Sequence, residues 1–210
     1  RCAMTRAARW TRLAVVAGLT ATLVNCGDAS RRGDSGVLLV VDAFTAQRGG
    51  GKTNGAGLSS DVITNVTEPA PCTAAAPCPT VFSDSGIMTV RSMPKDITVA
   101  PLTPSYMDVT LTRYHVNYRR ADGRNTPGVD VPYPFDGGLS VTIPAGAKAE
   151  VVFELVRHVA KEESPLVELR YNARIITAIA DVTLYGRDIA GNIVSAAGSI
   201  TIDFGDFGDQ

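Results

Sequence analysis

The chain has 210 residues, 45% of them hydrophobic and 20% charged, with a formal net charge of −1. That is ordinary globular composition, and the near balance of acids and bases excludes a partner held by bulk charge, nucleic acid above all. Only 6% of residues are aromatic, while 20 glycines and 12 prolines punctuate the chain, a balance that favours many short strands over long helices.

The first segment reads as a leader. From Met4, the expected start, residues 4–26 are MTRAARWTRLAVVAGLTATLVNC. Arg6, Arg9 and Arg12 precede an apolar run over residues 13–24 that is too short to span a bilayer as a permanent helix, which is the pattern of a signal peptide, here assigned to residues 1–25. The run ends in Leu23, Val24, Asn25 and Cys26, which resembles the bacterial lipoprotein signal, with Asn25 where Gly, Ala or Ser is usual. The resemblance implies that Cys26 is lipidated and becomes the first mature residue. Residues 26–36 then form a polar tether, and Gly27 after the cysteine fits the outer membrane or cell surface of a Gram-negative envelope better than the inner membrane. Plain secretion and an uncleaved anchor are the alternatives. Two or more acyl chains give a stable anchor where one binds only marginally, so the following domain, residues 37–210, is expected to be membrane-tethered and not embedded.

Residues 37–44 (VLLVVDAF) are a continuous apolar run, expected to be a buried first strand. Ala46, Gly51, Lys52 and Thr53 resemble a relaxed phosphate-binding loop. Such a loop must open a helix, and NGAGLSS after Thr53 is a poor helix start, so a flexible glycine-rich loop over residues 49–60 is expected instead. Residues 61–66 read as a short strand. Cys72 and Cys78 then stand among prolines, in a chain addressed to an oxidising compartment, and are expected to form a disulfide worth about 2 kcal/mol by loop-closure entropy.

Residues 87–91 and 96–99 are strand candidates split by Met93, Pro94 and Lys95. A longer strand over residues 107–120 changes phase between Leu111 and Tyr114, which predicts a β-bulge near Thr112 or Arg113. The loop after it carries Asp122, Asn125, Asp130 and Asp136. Calcium takes oxygen ligands of this kind, but the spacing fits no EF-hand and turns use the same residue types, so these are weak metal candidates. Leu139, Val141 and Ile143 alternate with polar residues in one strand, and Val151, Phe153 and Leu155 in the next. His115 and His158 both fall on strand-like stretches with no second ligand at metal-binding spacing, and read as structural. Ser164, Pro165 and Glu168 suggest a capped helical turn or two crossing between sheets.

The clearest element is residues 181–204, a β-hairpin. Val194, Ala196, Gly198, Ile200, Ile202 and Phe204 share one face, and RDIAGN supplies the turn. Asp203, Phe204 and Gly205 are similar to the Asp-Phe-Gly of protein kinases, but nothing else of the kinase set is present. Asp203, Asp206 and Asp209 read as an exposed acidic terminus.

Seven to nine strands with one short crossover helix predict an all-β, antiparallel two-sheet sandwich. The GRDIAGN turn is similar to that closing bacterial immunoglobulin-like domains, which implies the immunoglobulin-like variant of the sandwich. YRRADGRNTPGVDVPY and FELVRH resemble stretches of small bacterial lipoproteins, a likeness that implies an address and no activity. The leading expectation is therefore a binding or structural module of the cell envelope, with an envelope protein or glycan as partner. A carbohydrate- or calcium-binding module is the alternative, with Tyr106, Tyr133 and Phe135 as the available aromatics. A hydrolase comes third, since no motif surrounds any serine, and no cofactor motif is present.

Overall fold

A computed structural model describes residues 35–95 and 108–208. The predicted leader, the lipidation site Cys26, most of the tether, the predicted strand at 96–99, Tyr106 and Asp209 lie outside the described residues. Among the described residues eleven strands run in chain order as β1 (Val37–Gln47), β2 (Asn54–Gly55), β3 (Gly57–Asp61), β4 (Thr64–Val66), β5 (Cys78–Thr80), β6 (Asp84–Pro94), β7 (Val109–Arg119), β8 (Phe135–Ile143), β9 (Lys148–Val156), β10 (Ile176–Asp188) and β11 (Ile193–Gly205). A single α-helical turn and a half, α1 (His158–Glu162), and a 3-10 turn (Leu166–Leu169) connect β9 to β10.

The strands form a four-stranded sheet, β2-β1-β6-β9, a five-stranded sheet, β3-β11-β10-β7-β8, and a small β4-β5 ribbon. Period-2 patterning explains the pairing: in β6 and β10 alternate residues are buried almost without exception, and each strand turns those residues to one common core. Tyr114 of β7 packs on Phe153 of β9 with ring centroids 5.1 Å apart, which brings the larger sheet onto the smaller. Gly198 of β11 lies so close to Met88 of β6 that a Cβ there would come within 2.8 Å of the methionine methyl. The hairpin face named from the sequence is the face that meets the opposite sheet.

The turn of that hairpin is built as its residue types require. Gly191 adopts φ +87°, and its N–H donates to the Asp188 carbonyl at 2.9 Å, while the Asp188 carboxylate accepts the Asn192 N–H at 2.8 Å. The phase change in β7 is a register slip at Thr112: Tyr185 and Gly186 of β10 face Arg113 and Leu111, so Thr112 is skipped. Gly186 has to be glycine there, because a Cβ would lie 2.4 Å from the Thr110 carbonyl oxygen.

Several expectations need correction. The sandwich is not wholly antiparallel, because β3 runs parallel to β11 at the edge of the larger sheet. The expected loop over residues 49–60 therefore contains two strands, and the chain changes sheet within it. The expected strand at residues 61–66 is interrupted at Val62 and Ile63, whose side chains are buried. β6 continues through Met93 and Pro94, ending opposite Val37 at the sheet margin, where proline's missing N–H costs no interior bond. His158 opens α1 and does not lie on a strand. Ser164 caps neither helical turn by a bond to backbone; its hydroxyl donates to Glu168 Oε1 at 2.9 Å. Phe135 is a core residue, in edge-on contact with Tyr114, and is closed to any ligand.

Candidate functional site

The segment where the chain leaves the first sheet for the second, residues 48–56, carries the three consecutive glycines. Each has a task. Gly49 sits against the chain at Ser83, where a Cβ would be 2.3 Å from the carbonyl oxygen, and Gly50 takes φ +74°. The Gly51 N–H closes the turn on the Arg48 carbonyl at 2.9 Å, and Gln47 Nε2 donates to the Gly51 carbonyl at 2.8 Å. The N–H groups of Gly49 and Gly51 are turned to partners within the chain, and the loop runs into β2 instead of a helix.

A cleft of about 570 Å³ opens between this loop, residues 64–68 and Phe82. Arg48 and Lys52 give it positive charge, Glu68 negative charge, Thr64 and Asn65 hydrogen-bonding groups, and Phe82 one aromatic face. The Cys72–Cys78 disulfide closes the ribbon that supplies one wall, since Cys78 of β5 pairs with Val66 of β4.

The loop is fastened from inside by a charged group that the sequence does not advertise. Gly49 N–H donates to Asp84 Oδ1 at 2.8 Å, Ser60 Oγ donates to Asp84 Oδ2 at 2.6 Å, and Lys161 Nζ lies 2.8 Å from the same Oδ2. Asp84 and Ser60 are 0% exposed and Lys161 1%. Burial pushes the Lys161 amine below its ordinary value, opposed by the charge and hydrogen bond of Asp84. Beside this pair Asp61 accepts N–H bonds from Ile63 and Phe207 and a hydroxyl bond from Thr64, with Arg48 3.6 Å away. Burial pushes the Asp61 carboxyl up. Six parts of the chain meet here: the glycine-rich loop, β3, β4, β6, α1 and the segment after β11. Ser60 is too deeply buried, and too fully engaged as a donor to Asp84, to attack an external substrate.

The candidates named from sequence are dispersed. Asp122 is held by Arg120 and Arg124 at 2.7 and 3.0 Å, and the Arg120 bond keeps its carboxyl well below the usual range. Asn125 Oδ1 accepts the Arg120 N–H, Asp130 accepts the Thr126 N–H, and Asp136 pairs with Arg113 and His115. These oxygens are taken up by partners nearby, within the turn for Asp122, Asn125 and Asp130 and across the β7-β8 pair for Asp136. A cavity of about 170 Å³ adjoins this loop, bordered by Arg120, Arg124 and Asp130. Among the described residues no group of three or more His, Cys, Asp or Glu is placed to hold a metal ion, and no helix is long and apolar enough to cross a membrane. Tyr133 lies over Gly128, where a Cβ would meet its hydroxyl at 2.3 Å, and so packs its own loop. Asp203 accepts the Thr177 hydroxyl and Asp206 the Tyr171 N–H.

Sequence reasoning passed over Ser60, Asp84 and Lys161. Lys161 belongs to a run, KEE, that reads as solvated surface, and a five-residue helix is too short for periodicity to mark its buried side. No protein-family model, curated protein or solved structure matches the chain.

Proposed function

We propose that the chain is an extracytoplasmic, lipid-tethered β-sandwich that recognises an envelope protein through the cleft at its glycine-rich loop. The observation that carries the reading is the cleft itself: open, bordered by both signs of charge, and fastened from inside by the bond from Gly49 to Asp84. Loops on a rigid sandwich are the usual place for recognition. The tether draws support from Arg6, Arg9 and Arg12, the apolar run and Cys26, and a disulfide suits the same compartment. The immunoglobulin-like assignment draws support from strand order. β1-β6-β9 oppose β11-β10-β7-β8, and β3, after the chain switches sheet, runs parallel to the last strand, as the split first strand does in many immunoglobulin-like domains.

Intact mass of membrane-extracted protein tests the address: a lipidated chain beginning at Cys26 supports it, and an unlipidated chain overturns it. Crosslinking in intact envelopes, with wild type and Lys52→Glu compared, tests the cleft. One stoichiometric partner lost in the variant is the expected result, and identical crosslinks with both would remove the cleft from the proposal. Glycan recognition is the second reading, favoured by Phe82 beside Thr64 and Asn65. Saturable binding to an envelope glycan, abolished by Phe82→Ala, would promote it.

A further inference from the structure

The buried pair beneath the cleft holds a lysine amine against an aspartate carboxyl. We propose that Lys161 Nζ and Asp84 Cγ become joined by an intramolecular amide bond, a covalent crosslink between α1 and β6 that forms without any cofactor. The inference is independent of the tether and of the cleft's ligand.

Three features carry it. First, the amine and carboxyl are held together with Nζ 2.8 Å from Oδ2, in a site where Lys161 is 1% and Asp84 0% exposed. Fixed approach of this kind replaces a bimolecular encounter by an intramolecular one. Second, the two carboxyl oxygens are bonded differently. Oδ1 accepts the backbone N–H of Gly49 at 2.8 Å, and Oδ2 accepts the hydroxyl of Ser60 at 2.6 Å. One oxygen is thus placed to carry negative charge and the other to leave. Third, two opposite charges far from water are costly to keep, and an amide removes both while Oδ1 keeps its bond from the Gly49 N–H. Desolvation favours the neutral amine, the form that can attack.

The step balances without an oxidant or reductant. A proton passes from the ammonium to the carboxylate, giving a neutral amine and a neutral acid. The Nζ lone pair attacks Cγ, and the electrons of the C=O bond move to Oδ1, where the Gly49 N–H stabilises the oxyanion. One amine proton travels through the Ser60 hydroxyl to Oδ2. The Cγ–Oδ2 bond then breaks, one water leaves, and the C=O bond reforms at Oδ1. The sum is one ammonium and one carboxylate giving one amide and one water.

Intact mass of the full chain, after disulfide reduction and denaturation, decides the matter. The expected mass is short by one water relative to Lys161→Arg, corrected for the residue exchange, and proteolysis yields a branched peptide joining the segments that contain Asp84 and Lys161. Ser60→Ala, which keeps both reacting groups, is expected to accumulate uncrosslinked chain. A wild-type mass with no water lost overturns the proposal, whatever the variants do. So does a lost water that maps to cyclised Asp122 or Asp136, each followed by glycine, with the Lys161 amine still open to acetylation in the denatured chain.

Discussion

The Tyr118 hydroxyl on β7 donates to the Leu155 carbonyl on β9 at 2.6 Å, a buried bond from one sheet to the other. Leu155 falls where β9 slips register against β6, between the pairs Asp84–Val156 and Ser85–Glu154, so it stands outside the ladder and the phenol supplies its bond. Burial pushes the phenol far above its ordinary value, so it stays protonated and a donor well into the alkaline range. Tyr118→Phe is expected to cost about 1–2 kcal/mol, read as a lower urea midpoint with an unchanged slope. An unchanged midpoint would mean that water or a shift of β9 serves the carbonyl as well.

Gly49 has no room for a side chain between Ser83 and Phe82. Gly49→Ala is expected to destabilise by about 1–3 kcal/mol through overpacking. Gly208→Ala, where nothing lies within 4 Å of the added carbon, is the control and should stay within about 0.5 kcal/mol of wild type. Equal melting temperatures for the two variants would show that the loop yields freely.

The hairpin turn shares a carboxylate with Ser35, just ahead of β1. Asp188 Oδ2 accepts the Ser35 hydroxyl at 2.8 Å and Asn192 Nδ2 at 3.0 Å. Burial alone would raise this group, but the bonds from Asn192 and Ser35 outweigh it and leave it below its ordinary 3.8. The folded state therefore binds protons less readily than the unfolded chain. Its contribution to stability is full above about pH 3.8 and is lost as pH falls through the lower folded value. Asp188→Asn should flatten the acid limb of melting temperature against pH; an unaltered limb would assign acid unfolding to other carboxylates.

Asp61 has the opposite sign. Its carboxyl is raised by burial, so the folded state binds the proton more readily, and a cost of ionisation grows as pH rises from 3.8 through the folded value. The stability of Asp61→Asn relative to wild type should improve over that rise. A difference independent of pH would show that lost bonds to Ile63 and Phe207, not charge, govern the variant.

The disulfide closes the ring from Cys72 to Cys78 beside the β4-β5 ribbon. Replacing both cysteines by serine should cost about 2 kcal/mol. The loss should appear first as faster hydrogen exchange at Thr64 and Val66, before the two large sheets open. Uniform loss of protection would place the ribbon in the same cooperative unit as the core.

Much of the fold was legible because strand periodicity survives without knowledge of partners. The faces of β10 and β11, the slip at Thr112 and the RDIAGN turn all follow from residue order, since each depends on neighbours within a few positions. The parallel edge strand was not legible. GLSSD is short and polar, and its backbone finds its partner in β11, far away in sequence. The site was less legible still: Lys161 is indistinguishable in sequence from its exposed neighbours Glu162 and Glu163.

By itself, then, the order of residues determined a β-rich chain with a cysteine pair and a tight closing hairpin, because local alternation, turn chemistry and spacing act over short range. Tertiary structure alone decided that Asp84, Ser60 and Lys161 meet, that Gly49 completes their set of bonds, and that a cleft forms above them. The reason is physical: burying a charge is costly unless a partner arrives from elsewhere in the chain, and where that partner comes from is settled only when the sheets pack.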